Sequence, residues 1–156
     1  MIRVLFVCLG NICRSPMAEA VFRMMVEKAG LEKKIFVDSA GTGSWHIGKP
    51  PHEGTRNVLR SKGIDTAGMA ARQVKKGDLA HFDYIIAMDS GNEKHLRRLA
   101  SEDEEGKIRK FMDFLPESDL RDVPDPYYTG NFEEVYELVE KGCRRLLEYI
   151  RERENL

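Results

Sequence analysis

The chain has 156 residues, of which 42% are hydrophobic and 33% are charged, a composition typical of a folded globular protein. This length suits a single domain, residues 1–156, that buries a core without disulfides or metal. The net charge is −1, with acidic and basic residues mixed along the chain, so we expect no nucleic-acid partner.

The N-terminal run from Met1 to Val7 is apolar, but it is too short to span a membrane. It also lacks the cationic segment and the cleavage site of a signal peptide. The chain has three cysteines, and an odd number argues against a secreted disulfide framework. We therefore expect a cytoplasmic monomer with no membrane partner.

The chain alternates short apolar runs with helical periodicities, which predicts an α/β fold built on a mainly parallel sheet. Ile2–Cys8 is the first predicted strand. A helix is predicted to start at Ser15-Pro16, with the proline in its first position and an apolar face formed by Met17, Ala20, Val21 and Met24. The next predicted elements are a strand at Ile35–Val37, a glycine-rich loop from Ser39 to Pro51 and a helix at Glu53–Ser61.

The second half of the chain continues this alternation. Tyr84–Met88 is predicted to be a strand, and Ser90 with Glu93 forms a capping-box pattern for the next helix. The acidic run at 102–105 predicts a solvated turn, and Ile108–Phe114 is a fourth strand candidate. The last helix is predicted to begin near Asn131, with apolar positions at Val135, Leu138, Val139, Leu146 and Ile150.

Three polar residues lie where predicted strands end, namely Cys8, Ser39 and Asp89. In open parallel sheets, ligands bind at the carboxyl ends of the strands. We therefore expect these three side chains to face one crevice.

The loop after the first strand, LGNIC at residues 9–13, has a suitable length to curl around an anion. Gly10 and Asn11 tolerate the positive φ that such a curl needs. Its N–H groups and the following helix N-terminus can then form an anion-binding nest. Arg14, placed at the rim, is suited to hold two oxygens with its planar guanidinium.

Cys8 lies at the base of this loop, where it would meet the phosphorus of a bound phosphate ester in line. A thiol pKa of ~8.5 falls to roughly 3.5–7.5 near a helix N-terminus and a cation. The Ser15 hydroxyl is suited to donate a hydrogen bond to the thiolate. This chemistry favours phosphoryl transfer through a phosphocysteine, although an inert buried thiol also fits the spacing.

Other sites on this loop fit less well. Four residues separate Cys8 from Cys13, and no Cys-x-x-Cys or His-x3-His partner occurs elsewhere, which disfavours zinc. No Gly-Lys-Ser/Thr follows the loop, which disfavours a nucleotide P-loop.

A candidate proton donor occurs late in the chain, in DVPDPYYTG at residues 122–130. Asp125 lies between two prolines, which hold it extended on a stiff loop. General acid catalysis contributes about 10²–10⁴-fold to a rate, and a carboxyl on a stiff loop suits that role. A plain turn also explains this sequence. Tyr127 and Tyr128 either wall an aromatic slot or serve in packing.

The segments CLGNICRS at 8–15 and DPYY at 125–128 resemble the low-molecular-weight protein tyrosine phosphatases. The resemblance covers nearly the whole chain, through DSAGT at 38–42, Trp45, ARQ at 71–73 and DYIIAMD at 83–89. It implies a flavodoxin-like three-layer fold with a four-stranded parallel sheet flanked by helices. It also implies a single phosphatase domain that hydrolyses phosphotyrosine in protein substrates, in two steps and without a metal or other cofactor.

The resemblance also implies a role for each matching residue. Cys8 would attack phosphorus, Arg14 would bind the phosphoryl oxygens, and Asp125 would protonate the tyrosyl oxygen and then act as base for water. The phosphate would be surrounded by the loop residues Leu9, Gly10, Asn11, Ile12, Cys13 and Ser15. The substrate slot would be lined by Leu9, Ile12, Trp45, Tyr127 and Tyr128.

Three positions bear on how the loop is supported. Asn11 and Ser39 match a pair that holds the left-handed kink of the loop in the family. Asp89 matches a position near the loop that carries Asp125, residues 122–130, here called the acid loop, and it is also suited to cap the following helix. Met69 stands where many members have a histidine that completes this hydrogen-bond chain, so we expect the chain to end at Ser39 or to recruit water.

The nearest alternative is a protein-arginine phosphatase on the same scaffold. Those enzymes resemble this family but carry threonine at the position of Ile12 and lack the tyrosine pair, so Ile12, Tyr127 and Tyr128 favour an aryl phosphate. Arsenate reductases of this fold need a second, mobile cysteine pair, and Cys143 stands alone on an apolar helix face. A silent phosphopeptide-binding module is a further alternative, but it should lack the nucleophile or the acid.

The remaining cysteine and the histidines have other expected roles. We hypothesise that Cys13 traps an oxidised Cys8 as a disulfide, although it could simply fill space behind the loop. We expect surface or capping roles, and no catalytic role, for His46, His52, His81 and His95. Cys143 is expected in the core.

Overall fold

The structure is a computed structural model that describes residues 1–156. Its sheet has the strand order β2-β1-β3-β4, and every pairing is parallel. The four strands are β1 (Ile2–Cys8), β2 (Ile35–Gly41), β3 (Tyr84–Ala87) and β4 (Ile108–Lys110). Because all of them run in one direction, their carboxyl ends meet at one edge of the sheet, and the predicted parallel sheet is confirmed.

Helices connect the strands, since parallel neighbours need crossover connections. The α-helices are α1 (Arg14–Lys28), α2 (Glu53–Ser61), α3 (Lys76–His81), α4 (Ser90–Leu99), α5 (Pro126–Thr129) and α6 (Phe132–Glu154). Two 3₁₀ helices lie at Glu102–Lys107 and Phe111–Phe114. None of the helices combines the length and the apolar character that crossing a membrane would require.

The helices cover both faces of the sheet, because successive side chains of a strand point to opposite sides. Val4 and Phe6 of β1 belong to the larger apolar cluster, which includes residues of α1 and α6. Leu5 belongs to a smaller cluster with Leu79 of α3 and Leu96 of α4. The molecule therefore has three layers, with the sheet in the middle.

Helix α6 comes very close to the residues that follow β4. A β-carbon on Gly142 would lie 2.2 Å from Cε2 of Phe111. The ring of Phe111 is fully buried, so it occupies the space that a side chain at position 142 would need. The glycine is therefore what allows α6 to pack at this distance.

The predicted strand bounds differ from the structure at two places. β2 was predicted to end at Val37 but continues to Gly41, because its backbone pairs with β1 until Cys8 faces Gly41. The fourth strand candidate ends at Lys110, and the 3₁₀ helix at Phe111–Phe114 replaces its second half.

Two helix starts also differ from the predictions. α1 begins at Arg14, so Pro16 is its third residue rather than its first. Proline is tolerated there because the first N–H groups of a helix have no partner within the helix. α4 is capped by Asp89, which exchanges hydrogen bonds with Asn92 in a capping box, and not by the predicted pair led by Ser90.

Candidate active site

A cavity of about 200 Å³ opens where β1 ends and α1 begins. Most of the predicted site residues share it, although they come from distant parts of the chain. Its lining residues are Cys8, Leu9, Gly10, Ile12, Cys13, Arg14, Trp45, His46, Asp125, Tyr127 and Tyr128. Asn11, Ser15 and Asp89 do not line the cavity but hydrogen-bond residues that do, and Ser39 hydrogen-bonds Asn11.

Cys8 is the last residue of β1 and is only 2% exposed. Its Sγ accepts a hydrogen bond from the backbone N–H of Asn11 at 3.3 Å. The Ser15 Oγ lies 3.0 Å from the same sulfur. The sulfur therefore lies among groups that can stabilise a thiolate.

The loop curls at Asn11, whose φ of 57° is in the left-handed region. Of the two residues suited to a positive φ, Asn11 adopts it and Gly10 does not. A β-carbon on Gly10 would instead lie 3.0 Å from Cδ2 of His46. Glycine is suited to this position because the imidazole packs directly on the loop.

The side chain of Asn11 holds the loop from behind. Its Nδ2 donates to Ser15 Oγ at 2.8 Å and to Ser39 Oγ at 2.9 Å. Its Oδ1 accepts from the backbone N–H of Arg72 at 3.0 Å. All three hydrogen-bonding functions of the amide are thus engaged, which fixes its orientation.

This hydrogen-bond chain does not end at Ser39, so that expectation is wrong. Ser39 Oγ donates to Glu19 Oε1 at 2.5 Å, and Glu19 is a buried residue of α1. Met69 offers no polar side-chain atom and packs against the larger apolar cluster. The sequence analysis missed Glu19 because it lies on the side of α1 opposite the predicted apolar face, where a carboxylate is expected to be exposed, whereas both sides of this helix are buried near its start.

Arg14 is buried, with 2% exposure, rather than placed at the rim as predicted. Its NH1 donates to Asp89 Oδ2 at 2.7 Å and to the Val123 carbonyl at 3.1 Å, and its NH2 donates to Asp125 Oδ2 at 3.3 Å. Its Nε is buried and has no hydrogen-bond partner. Burial lowers the pKa of Arg14, but the negative charges of Cys8, Asp89 and Asp125 outweigh burial and raise this pKa overall.

Asp89 has both of the roles considered for it. Its Oδ1 accepts from the backbone N–H of Asn92 at 2.8 Å and caps α4. Its Oδ2 accepts from Arg14. One carboxylate therefore links the start of α4 to the guanidinium of the site.

Asp125 is extended, with φ −87° and ψ 107°, as its two prolines predicted. Its Oδ1 accepts from the backbone N–H of Tyr127 at 3.1 Å, so it caps the short helix α5. The loop before it is tied to the sheet, because the Val123 N–H donates to the Met88 carbonyl at 2.9 Å. The carboxyl thereby lines the same cavity as Cys8, with its Oδ2 3.3 Å from Arg14 NH2.

The sequence matches the family model "Low molecular weight phosphotyrosine protein phosphatase" over residues 3–156. The chain belongs to this family. It is a low-molecular-weight protein tyrosine phosphatase, and the activity predicted from the resemblance is confirmed at this level.

Individual relatives agree with this membership. The phosphatase is 59% identical over 156 residues to the low molecular weight protein-tyrosine-phosphatase YfkJ of Bacillus subtilis, covering 100% of each chain. The crystal structure of YfkJ matches with a TM-score of 0.95, covering 98% of this chain and 96% of that one. The predicted flavodoxin-like fold is therefore confirmed.

Two further solved structures are informative. A protein tyrosine phosphatase from Entamoeba histolytica, with Hepes in its active site, is 38% identical with a TM-score of 0.93, covering 99% of each chain. A Drosophila arginine phosphatase is 34% identical with a TM-score of 0.88, covering 95% of this chain and 97% of that one. The scaffold thus occurs in proteins named for two different phosphorylated side chains.

The mouth of the phosphatase cavity is aromatic and open to solvent. Trp45, Tyr127 and Tyr128 are 67%, 53% and 76% exposed. His46 and His52 lie beside Tyr127, with ring centroids 6.4 Å and 5.9 Å away. Sequence reasoning missed His46 as a lining residue, although its position directly after Trp45 was a usable signal.

The two cysteines of the loop differ in chemistry. Burial and the negative charges of Cys8 and Asp125 raise the pKa of Cys13 to about 12. Cys13 is therefore a neutral thiol at ordinary pH. Cys143 lies in the core as predicted, and the structure has no group of three or more side chains arranged to hold a metal ion.

Proposed function

We propose that this phosphatase hydrolyses phosphotyrosine monoesters through a phosphocysteine intermediate, with Cys8 as nucleophile, Arg14 as phosphoryl ligand and Asp125 as general acid. The observation that carries the proposal is the surroundings of the Cys8 sulfur. It is buried at the base of the cavity, and it accepts a hydrogen bond from Asn11 with the Ser15 hydroxyl 3.0 Å away. Such hydrogen bonds and a nearby cation favour a thiolate nucleophile.

In the first step, the Cys8 thiolate attacks phosphorus and the bond from phosphorus to the tyrosyl oxygen breaks. The N–H groups of the loop and the guanidinium of Arg14 stabilise the charge on the phosphoryl oxygens. Arg14 Nε, which has no partner in the protein, is suited to donate to one of these oxygens. Asp125 gives its proton to the departing tyrosyl oxygen, so tyrosine leaves as a neutral phenol.

In the second step, a water molecule attacks the phosphocysteine. The Asp125 carboxylate takes a proton from this water, the bond from phosphorus to sulfur breaks, and inorganic phosphate leaves. The Cys8 thiolate is restored, stabilised by the Ser15 hydroxyl. The same carboxyl group thus serves as acid and then as base, and no redox partner is needed.

The shape of the cavity supports an aryl substrate. Ile12 is 8% exposed and contributes an apolar wall, while Trp45 and Tyr127 line the entrance. A flat phenyl ring gains apolar and aromatic contacts in such a slot. A phosphoarginine side chain would bring its planar, charged guanidinium group against these same apolar walls.

Leaving-group dependence tests the assignment of Cys8 and Asp125. Cys8→Ser is expected to abolish hydrolysis of aryl phosphates. Asp125→Ala is expected to lower kcat by about two to four orders of magnitude on phenyl phosphate, whose leaving group needs a proton, and far less on 2,4-dinitrophenyl phosphate. Asp119→Ala, an exposed change in the preceding loop, is the matched control. Full activity in Cys8→Ser, or equal losses on both esters in Asp125→Ala, would contradict the mechanism.

A competition assay separates the two substrate classes. Peptides of one sequence carrying phosphotyrosine or phosphoarginine are compared by kcat/KM. We expect a higher kcat/KM for the phosphotyrosine peptide. Ile12→Thr is expected to lower the ratio of the two kcat/KM values, because it removes apolar contact with the phenyl ring. Equal or faster turnover of phosphoarginine by the unchanged protein would favour the arginine phosphatase alternative.

A further inference from the structure

Two charged residues of α1 lie behind the anion-binding loop, one helical turn apart. Glu19 is 7% exposed, and its Oε2 accepts a hydrogen bond from Arg23. Arg23 also donates to the Val37 carbonyl at 2.8 Å, which ties its guanidinium to β2. The other oxygen of Glu19, Oε1, accepts the hydroxyl proton of Ser39. The ion pair is therefore anchored twice, because Arg23 binds β2 and Glu19 binds Ser39. Ser39 in turn supports the loop by accepting from Asn11.

An ionised carboxylate accepts hydrogen bonds and cannot donate them, so Glu19 fixes the direction of the Ser39 hydroxyl, while the Arg72 N–H fixes the direction of the Asn11 amide by donating to its Oδ1. The single proton of the Ser39 hydroxyl goes to Glu19, which leaves its oxygen to accept from Asn11 Nδ2. The second Nδ2 proton of Asn11 goes to Ser15 Oγ. Ser15 then keeps its own proton, and the Cys8 sulfur at 3.0 Å is a nearer acceptor for it than the Ala40 carbonyl at 3.5 Å.

We propose that the Arg23–Glu19 ion pair is a positioning device that holds Ser39, and through it Asn11, in the place from which Asn11 donates to Ser15 and Ser15 donates to the Cys8 thiolate. Neither residue lines the cavity that holds Cys8. Both act through Ser39 and Asn11, at the place where Met69 supplies no polar partner. The inference rests on the proposed role of Cys8 as nucleophile.

The role of Arg23 is to keep Glu19 ionised. Burial disfavours the charged form of a carboxyl group unless a cation or donors compensate it. Arg23 is the cation that forms a salt bridge with Glu19. A protonated Glu19 would lose its attraction to Arg23 and could itself donate to Ser39, so the Ser39 hydroxyl that accepts from Asn11 would no longer be held in one position.

Substitution of Arg23 tests the ion pair without disturbing the core, since its side chain is 39% exposed. Two readouts are followed from about pH 5 to about pH 9, namely kcat/KM for an aryl phosphate and the rate of carboxymethylation of Cys8 by iodoacetate. Arg23→Met is expected to lower both about tenfold at the acid end, with recovery as pH rises and the unpaired Glu19 ionises. Arg23→Lys keeps the cation and should restore the wild-type profile, and Lys28→Met on the same helix is the matched control.

The titratable and charged groups that share the cavity with Cys8 are unchanged in these variants. They are Arg14 on α1, Cys13 in the loop, His46 after Trp45, and Asp125, Tyr127 and Tyr128 on the acid loop. A shift in the carboxymethylation profile therefore reports the chain through Ser15. A loss of fold alone would lower the rate at every pH and would not be restored by lysine.

A double-mutant cycle tests whether Arg23 acts through Ser39. Ser39→Ala removes the link, so adding Arg23→Met to it should cause no further loss. Additive losses, or an Arg23→Met profile that superimposes on the wild type, would overturn the inference. Neither result bears on the proposed function, which fails only if Cys8→Ser stays active or Asp125→Ala lacks leaving-group dependence.

Discussion

Cys8 and Cys13 belong to one loop, yet only one of them is suited to react. Cys8 is bonded by the Asn11 N–H and neighbours the Ser15 hydroxyl, whereas Cys13 is held as a neutral thiol with a pKa of about 12. An oxidant should therefore attack Cys8 first. A neighbouring neutral thiol is then available to condense with the product.

Peroxide treatment tests this division between the two cysteines. Peroxide converts the Cys8 thiolate to a sulfenic acid, and the Cys13 thiol then condenses with it to form a disulfide and release water. We expect Cys13→Ser to lose reversibility, because the sulfenic acid would oxidise further. The measurement is the activity recovered with dithiothreitol after timed exposure. Cys143→Ala, a change in the distant core, should recover like the wild type, and full recovery of Cys13→Ser would contradict the trap.

At the residue scale, the sequence identified side chains better than their surroundings. The positive φ of Asn11 followed from its residue type, and the extended Asp125 followed from its two prolines. Gly10 was assigned to the loop correctly, but glycine is needed there because the ring of His46 packs against it. No local sequence pattern predicts a contact with a residue so far along the chain. The burial of Arg14 depends on carboxylates from two remote loops and was equally hidden.

At the element scale, the acid loop is held by the start of α4 and the end of β4. Asp122 Oδ1 accepts from Ser90 at the start of α4, and it lies 2.8 Å from Lys110 Nζ of β4. Burial raises the pKa of Asp122, but the bonds from Lys110 and Ser90 outweigh burial and hold this pKa below its ordinary value. Asp122 is therefore an anionic anchor for the loop that carries Asp125.

Loosening that anchor should impair proton delivery more than phosphate binding. We expect Lys110→Met to lower kcat on phenyl phosphate by roughly three- to tenfold, because a mobile acid loop places Asp125 correctly less often. The rate on 2,4-dinitrophenyl phosphate and the inhibition constant of inorganic phosphate should change little. Lys94→Met, an exposed change on α4, is the matched control. Equal losses of rate on the two esters would show that the Asp122–Lys110 pair does not position Asp125 for proton donation.

Element length decided which parts of the fold were predictable. α2 and β1 were predicted with their observed bounds, and α6 with its cap at Asn131, because each carries a clear periodicity or start signal. The short helices α3 and α5 were missed, since one or two turns are too few to show a repeat. β2 was predicted too short because its pairing with β1 extends it beyond its apolar run.

At the scale of the whole molecule, we propose that residues 1–156 form one domain with the sheet shared by both clusters. Gly142→Ala tests whether the close packing of α6 against Phe111 stabilises this domain. Alanine ordinarily stabilises a helix by about 1 kcal/mol, but here its methyl group would overlap the ring of Phe111 and cost about 1–3 kcal/mol or more. The free energy of unfolding in urea is the measurement. Gly77→Ala on α3, where nothing lies within 4 Å, should be neutral or stabilising.

A single transition shared by fluorescence and circular dichroism would support the single domain, and two transitions would contradict it. Unchanged stability in Gly142→Ala would show that the Phe111 ring moves aside.

The order β2-β1-β3-β4 itself could not be predicted from the residues, because an apolar run does not indicate which strands will be its neighbours. It was predicted only as far as the family resemblance implied it.

The carboxylate of Asp89 is shared between the cap of α4 and the guanidinium of Arg14, so one substitution changes both the stability of a helix and the electrostatics of the site. Asparagine caps helices about as well as aspartate, so Asp89→Asn would spare α4 while leaving the buried Arg14 without that counter-charge. Alanine would damage both at once. Comparison of the asparagine and alanine variants therefore separates the loss of the helix cap from the loss of the charge beside Arg14.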